Sequence, residues 1–129
     1  MHYSVDLNCD MGEGMPNDAL LMPLISSANI ACGYHAGDER TMQQPIELAL
    51  QHRVKIGAHP SFPDKENFGR TNMHFPPGEV RDMVKTQIEI LAGLVVKNKA
   101  RLHHVKPHGA LYNMASKDNI LAAAICEAI

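Results

Sequence analysis

The feature that most restricts the fold of this chain is an alternation of short apolar segments with longer amphipathic ones. Strand-like runs lie at 3–9, 27–32, 54–58 and 101–105, and helical runs lie at 17–25, 38–52 and 76–99, with a further helix predicted after Ser116. Strands that alternate with helices in this way form parallel βαβ units with right-handed crossovers. The sequence therefore predicts an α/β fold, which is either half of a (β/α) barrel or a small open sheet.

Length and composition are those of one globular domain. The 129 residues include 45% hydrophobic and 20% charged residues, and the net charge is -2, which does not favour nucleic acid or anionic membranes as partners. No apolar run is long enough to span a bilayer, and the first ten residues lack the pattern of a secretion signal. The three cysteines have no CxxC spacing and are predicted to be free thiols, so we expect a cytoplasmic protein.

Several helix boundaries carry local signals. Asn17 or Asp18 is expected to cap the first helix, Asp38 the second and Ser116 the last. Pro45 lies well inside the second helix and is expected to kink it or split it. The third helix has apolar residues at helical spacing, and its predicted buried face consists of Val80, Val84, Ile88, Leu91 and Val95.

Polar residues follow each predicted strand at the same end. The segment "DLNCDMGEG" (6–14) places Asp6, Asn8 and Asp10 on one face of the first strand. Because parallel strands end at one edge, polar residues after the other strands are expected to meet them there. The candidate site residues are Asp6, Asn8, Asp10, Glu13, Asn29, His35, His59, Arg70, Lys106 and His108. The imidazoles and the lysine would offset the cost of burying the carboxylates.

Other conspicuous residues have simpler interpretations. One histidine at a strand end is usually structural, whereas three at equivalent strand ends favour a functional site. We expect structural or packing roles for Cys9, Cys32, Tyr34, Phe62, His103 and His104, and surface positions for His2, His52 and His74. The loop 59–77 is too long for a simple connection, and long loops in compact domains are often functional.

The sequence leaves the type of chemistry open. It contains no GxxxxGK[ST] phosphate loop, no dinucleotide fingerprint and no HExxH motif. Any Zn²⁺ or Mn²⁺ ion would be held by residues distant in sequence, and the candidate ligands are Asp10, His35, His59 and His108. The same groups would also serve acid–base chemistry without a metal.

Four sequence blocks resemble the LamB/YcsF family. They are "DLNCDMGEG", "SSANIACGYHAGD", "GAHPSFPD" followed by "FGR", and "VKPHGALYN", and they occur in family order between residues 6 and 113. Members of this family are identified as the A component of the prokaryotic ATP-dependent 5-oxoprolinase. Local departures from the family pattern are Pro45, Arg53 where a helix-ending glycine is common, and Thr71 after "FGR".

The resemblance implies a parallel (β/α) barrel of the glycoside hydrolase/deacetylase type. Family members are roughly twice as long as these 129 residues, which implies a single domain that is the N-terminal portion of the barrel, with about four βα units. It also implies that 5-oxo-L-proline, ATP and water give L-glutamate, ADP and phosphate. The B and C subunits of 5-oxoprolinase would be partners, and Mg²⁺ would accompany the ATP.

For that reaction we expect distinct roles for the candidate residues. Asp6 or Asp10 would act as the base, and His35, His59 and His108 would be oxyanion donors or metal ligands. Binding of the substrate carboxylate or phosphate is expected from Arg70 or Lys106, and further substrate contacts from Asn8, Glu13 and Asn29.

Two competing interpretations remain at this point. One is a metal-dependent deacetylase or amidohydrolase of the same superfamily, which would cleave an amide without ATP. The other is an inactive truncated chain or scaffold component, because open sheet edges tend to pair with another chain and would favour self-association.

Overall fold

Four parallel strands form one sheet whose spatial order follows the chain. The computed structural model describes residues 3 to 129, so His2 lies outside the described residues. The strands are β1 (Asn8–Met11), β2 (Ser27–Ala31), β3 (Lys55–His59) and β4 (His104–Val105), and each pairs in parallel with the next. The predicted parallel α/β class is confirmed.

Helices connect successive strands, and two further helices follow the last strand. They are α1 (Asp18–Leu21), a 3-10 turn (Met22–Leu24), α2 (Glu39–His52), α3 (Pro77–Lys97), α4 (Gly109–Ala115) and α5 (Asn119–Glu127). None of the helices within residues 3 to 129 combines the length and apolar character needed to cross a membrane.

The apolar core has two parts. The first lies between the sheet and helices α2 and α3, where Ile30, Ile56 and Leu91 are buried. The second joins the loop after β3 to helices α3, α4 and α5 around the fully buried Phe62. In α3, Val80, Val84, Leu91 and Val95 are fully buried and Ile88 is partly buried, so the predicted apolar face is confirmed.

The first strand lies later in the chain than predicted. Its first ladder pair joins Asn8 to Ser27, because β2 itself begins at Ser27. Leu7 still accepts hydrogen bonds from the backbone of Ser26 and Ser27, so the preceding segment continues along the same edge. The predicted strand at 101–105 is likewise shortened to two residues.

Two predictions for the first half of the chain need correction. The helical run 17–25 is a short α-helix followed by a 3-10 turn, because Pro23 lacks the backbone donor that would extend the α-helix. Helix α2 runs unbroken through Pro45, so of the two predicted effects, a kink or a split, the split is wrong and the kink stays a prediction. Its N-cap Asp38 is confirmed, and its side chain accepts from the Thr41 amide at 2.8 Å.

The last quarter of the chain contains a helix that the sequence did not predict. Helix α4 begins at Gly109, and its Ala110 amide donates to the Gly69 carbonyl at 2.9 Å, which is a tertiary contact without a sequence signal. Ser116 is the C-cap of this helix and not the N-cap of the next one. Helix α5 is capped by Asp118, whose carboxylate accepts from the amides of Ile120 and Leu121.

The departure at Arg53 yields a stability prediction. Arg53 caps α2 in the left-handed conformation with φ 58°, which costs a residue with a Cβ about 1 kcal/mol relative to glycine. We expect Arg53→Gly to raise the free energy of unfolding by about 0.5 kcal/mol after the greater entropy of the unfolded chain is included. Urea unfolding measures the change. Gln51→Gly, near the end of the helix but within it, should instead lower stability by about 1 kcal/mol, and a loss of stability in both variants would contradict the prediction.

Candidate functional site

A row of residues crosses all four strands at the same height. The register aligns Asp10, Asn29, Gly57 and His104, and the residues that follow them in sequence belong to the core under the helices. Since side chains alternate along a strand, this polar row faces the opposite side of the sheet. Asn29 at its centre is fully buried, and its amide nitrogen donates to Asp10 Oδ1 at 2.8 Å. The amide oxygen accepts from His104 Nε2 at 2.7 Å.

The polar row contains two predicted site residues, the buried Asn29 and the exposed Asp10. Asn29 also exchanges hydrogen bonds with Asn8, which leaves its amide no free group for a ligand. We therefore interpret Asn29 as a residue that orients Asp10. Asp6 lies further down the same face, where Ser27 Oγ donates to it at 3.1 Å, and it makes no hydrogen bond to the histidines of the site.

Three buried imidazoles and a carboxylate meet above the row. We call His35, His59, His108 and Glu13 the imidazole cluster; one ligand atom from each lies within 4.8 Å of the others. Glu13 Oε1 is 2.9 Å from His35 Nε2, 3.8 Å from His59 Nε2 and 3.6 Å from His108 Nδ1. All three histidines were predicted to converge here, and Glu13, predicted as a substrate contact, lies in the centre of the group.

Main-chain carbonyls fix the tautomers of two of these histidines. His59 Nδ1 lies 2.6 Å from the Lys106 carbonyl, and His108 Nε2 lies 2.8 Å from the Phe68 carbonyl. A carbonyl only accepts, so both of these ring nitrogens carry hydrogen. The remaining nitrogens, His59 Nε2 and His108 Nδ1, are 3.0 Å apart and face each other with lone pairs when both rings are neutral. Such a pair requires a proton or a cation between its members.

Burial and ring stacking affect His35 and the protonation of His108. His35 stacks on His108 with ring centroids 3.7 Å apart, and its Nδ1 is buried without a hydrogen-bond partner in the described part of the chain. Burial, followed by the neighbouring His35 and His59, lowers the pKa of His108. The His108 ring is therefore neutral at pH 7 and can accept a proton or bind a metal through Nδ1.

The geometry of the imidazole cluster fits a divalent metal ion. Four ligands about 2.1 Å from a tetrahedral Zn²⁺ lie about 3.4 Å from one another. The distances that join Glu13 Oε1 to the three ring nitrogens range from 2.9 to 3.8 Å, and His59 Nε2 lies 3.0 Å from His108 Nδ1. Three imidazole nitrogens and one carboxylate oxygen form a ligand set that zinc and related metals accept.

Asp10 lies beside the imidazole cluster as a stable anion. Lys106 Nζ donates to Asp10 Oδ1 at 2.8 Å, and Asp10 Oδ2 is 3.4 Å from His59 Nε2. Burial alone would raise the pKa of Asp10, but hydrogen bonds with His59, Lys106 and Asn29 outweigh this and hold the pKa well below its usual range. Asp10 is therefore suited to hold a cationic group in place and poorly suited to take up a proton.

An open groove of about 320 Å³ leads from solvent to the imidazole cluster. Its lining residues are Asp10, His59, Arg70, Lys106, Pro107, His108, Gly109, Tyr112 and Asn113. The Arg70 guanidinium lies over the Phe68 ring, 5.2 Å from its centroid, and forms no ion pair within residues 3 to 129. Arg70 therefore brings an uncompensated positive charge to the groove, whereas Lys106 is already paired with Asp10.

Sequence reasoning missed or misjudged some residues that shape the site. Gln87 is fully buried on the core face of α3 and exchanges hydrogen bonds at 2.9 Å with the backbone N–H and C=O of Ser61, two residues after His59. The sequence signal for this role was a glutamine within the apolar face of α3, between Val84 and Leu91.

Cys32 is a packing residue as predicted, and burial raises the pKa of its thiol to about 12.

Comparisons with known proteins agree with this geometry. The sequence profile of the LamB/YcsF family matches residues 5–129. The chain belongs to the LamB/YcsF family. Proteins from Bordetella pertussis and Bordetella parapertussis, each named as the A component of 5-oxoprolinase, are 53% identical to it over 134 residues, covering 100% of this chain and 53% of each relative. The crystal structure of a lactam utilization protein from Thermus thermophilus has a TM-score of 0.95 at 44% identity, covering 98% of this chain and 53% of that one.

These matches confirm the resemblance inferred from the four sequence blocks. The chain spans about half the length of the curated LamB/YcsF relatives that it matches. The similarity covers the polar row, the imidazole cluster and the groove, all of which lie between residues 8 and 113. The name of the Bordetella relatives marks each of them as one component of a larger assembly.

Proposed function

We propose that this chain carries residues of the reaction site of the A component of a 5-oxoprolinase. The reaction would open the lactam ring of 5-oxo-L-proline to L-glutamate and cleave ATP to ADP and phosphate. The observation that carries the proposal is the imidazole cluster, which opens onto a groove with an unpaired arginine in a chain 53% identical to proteins of that name. The consumption of ATP and three free thiols agree with a cytoplasmic protein.

The chemistry of a five-membered lactam defines what the site must supply. The amide is stabilised by resonance, so attack by water on the carbonyl carbon is slow. Transfer of phosphate from ATP to the amide oxygen makes that carbon electrophilic. Water then adds to it, the C–N bond breaks as the nitrogen takes a proton, and a second water releases phosphate. The site needs a proton acceptor, donors for the developing oxyanion and a cation for the carboxylate of the substrate.

The residues of the site divide these tasks. His108 is neutral and His59 faces it across 3.0 Å, so this pair accepts the proton of the attacking water and returns it to the leaving nitrogen. Asp10 is held as an anion by Lys106 and Asn29, and it stabilises the imidazolium form of His59 across 3.4 Å. Asp6, which lies away from the imidazole cluster, does not take part in this scheme.

A divalent metal ion would be held by Glu13, His35, His59 and His108 in place of the proton shared by the two imidazoles, because it would occupy the same lone pairs. When bound, it would polarise the amide carbonyl or lower the pKa of a water molecule. Asp10, which the sequence suggested as a ligand, would then neutralise Lys106 at the edge of the metal site.

The substrate carboxylate is assigned to Arg70, because Lys106 is paired with Asp10. We expect Arg70→Ala to raise KM for 5-oxo-L-proline about 10- to 100-fold with little change in kcat, since a charged hydrogen-bonded pair is lost in ground and transition states alike. Steady-state kinetics measure the change. Arg81→Ala, on the exposed face of α3, is the matched control, and an unchanged KM for the Arg70 variant would contradict the assignment.

ATP and the partner subunits complete the proposal. The chain has no phosphate-binding loop, so we place ATP binding on the B and C subunits or on the part of the relatives that this chain does not match. The test is a full-length chimera in which residues 1 to 129 replace the matching half of the Bordetella pertussis relative. Coupled detection of glutamate should show release that requires 5-oxo-L-proline, ATP and the partner subunits together. A folded chimera that assembles with its partners but releases no glutamate would exclude the proposal.

A second candidate is a metal-dependent amidohydrolase that works without ATP. The observation in its favour is the facing pair of lone pairs on His59 and His108 beside Glu13, which suits a catalytic metal. Metal analysis of the purified chimera, together with assays after treatment with a chelator, separates the two functions. Lactam or amide cleavage that needs metal and proceeds without ATP would support this candidate and exclude the first.

A further inference from the structure

We infer that Asp64 is a positioning residue that fixes the orientation and tautomer of His108. Asp64 lies in the loop between β3 and α3, outside the set of residues that the proposed reaction uses. The inference deepens the proposed function, because His108 belongs to the imidazole cluster, but its decisive readout does not depend on catalytic activity.

Asp64 closes the loop segment 64–71 at both ends. Its side chain is buried, with 8% exposure, and Oδ1 accepts from the Asn67 side chain at 2.9 Å and from the Asn67 amide at 3.3 Å. Oδ2 accepts from the Thr71 amide at 3.0 Å, and the Asp64 carbonyl accepts from the Gly69 amide at 2.7 Å. The hydrogen bond from the Asn67 side chain, with those from the two backbone amides, lowers the pKa of Asp64 and keeps it ionised at neutral pH.

The segment closed by Asp64 forms one wall of the imidazole cluster. The Phe68 carbonyl accepts from His108 Nε2 at 2.8 Å, and the Phe68 ring meets the His35 and His108 rings edge-on. Gly69 packs so closely that a Cβ there would lie 2.8 Å from His35 Cβ and 2.9 Å from His108 Cδ2.

The backbone of this wall adopts a conformation that needs external support. Phe68 has φ 56° and Gly69 has φ 66°, so two consecutive residues occupy the left-handed region, which is costly for Phe68. The Asp64 carboxylate supplies that support, because it bonds backbone amides on both sides of the pair. Without it, the Phe68–Gly69 peptide unit keeps the hydrogen bond from the Gly69 amide to the Asp64 carbonyl but loses the side-chain closures at Asn67 and Thr71, so the Phe68 carbonyl is held less firmly towards His108.

The position of the Phe68 carbonyl decides which ring nitrogen of His108 bears hydrogen. While this carbonyl accepts from Nε2, the lone pair lies on Nδ1 and faces His59 Nε2 and Glu13. If it moves, Nε2 loses its acceptor, and the tautomer with hydrogen on Nδ1 becomes accessible. That tautomer would direct an N–H group at the centre of the imidazole cluster and block it for a proton or a metal ion.

The test compares Asp64→Asn with Glu66→Gln, an exposed acid of the same loop that bonds to none of these groups. The amide side chain has one acceptor oxygen and one NH2 group, so it can accept at Asn67 or at the Thr71 amide but not at both, and one of the two closures opens. Nitrogen NMR of the imidazoles in the 129-residue chain should show the His108 tautomer ratio shifted about fivefold towards hydrogen on Nδ1, as loss of one hydrogen bond predicts. Titration with Zn²⁺ alone should show binding weakened about tenfold or more. Glu66→Gln should leave both unchanged.

A milder variant keeps the inference testable if Asp64→Asn does not fold. Asn67→Ala removes the side-chain donor at 2.9 Å and leaves the carboxylate in place, so it should shift the tautomer ratio in the same direction by a smaller factor. A His108 tautomer and a Zn²⁺ affinity equal to those of the parent chain in whichever variants fold would overturn the inference. If the chimera lacks oxoprolinase activity but the tautomer shifts, the proposed function fails and the inference stands.

Discussion

His59→Ala in the full-length chimera is expected to lower the rate of glutamate formation by about 100- to 10,000-fold, the range typical for loss of an acid–base group. The variant removes His59 Nε2, which lies 3.0 Å from His108 Nδ1 and 3.4 Å from Asp10 Oδ2. A proton or cation between the two rings would then be held by His108 without its partner nitrogen. KM should change little, because the substrate carboxylate is assigned to Arg70. The measurement is steady-state glutamate release in the presence of ATP and the partner subunits.

The control for this prediction is another histidine of the same chain. His74 is exposed in the loop before α3 and is not part of the imidazole cluster, so His74→Ala should retain the activity of the parent. Circular dichroism and assembly with the partner subunits establish that each variant is folded. Turnover by His59→Ala within about twofold of the parent would remove His59 from the mechanism, because acid–base groups contribute far more than that.

The largest expected effect on stability comes from Gly57→Ala. A Cβ at Gly57 would lie 2.1 Å from His104 Nε2, so the imidazole has to leave its place and its hydrogen bond to Asn29 breaks. Overpacking together with a lost buried hydrogen bond should lower the free energy of unfolding by about 2 to 4 kcal/mol. Urea unfolding of the 129-residue chain measures the loss.

A double variant isolates the contact between these two residues. His104→Ala removes the ring that a Cβ at position 57 meets, so Gly57→Ala should cost much less in that background than in the parent chain. The coupling free energy in the double-mutant cycle should exceed about 1 kcal/mol. Additive effects of the two substitutions would show that the glycine is not required by the imidazole.

Periodicity and strand order account for the parts of the fold that the sequence predicted. Helical spacing identified the buried face of α3, and the capping pattern identified Asp38, because both are local properties of consecutive residues. Convergence of His35, His59 and His108 followed from parallel strands that end at one edge. These inferences require only the type and direction of each helix or strand, and they do not require the conformation of any side chain.

Features that depend on contacts between residues far apart in the chain could not be predicted from the sequence. Helix α4 starts at Gly109 with no side-chain cap, and its first turn is tied to Gly69 in a distant loop. Asn29 resembled a substrate contact, but its burial and its bonds to Asp10 and His104 exist only once the strands are in register. Ser116 and Asp118 are both good capping residues, but Ser116 ends α4, so that Asp118 caps α5.

The acceptors that hold His59 and His108 are peptide carbonyls of Lys106 and Phe68, and this has a consequence for how the gene can vary. Every amino acid has such a carbonyl, so no missense change at either position deletes the acceptor itself. Insertions or deletions in the two segments would displace the carbonyls at once. Natural variants should therefore show strict preservation of the length of these two segments, separately from any constraint on the Lys106 and Phe68 side chains.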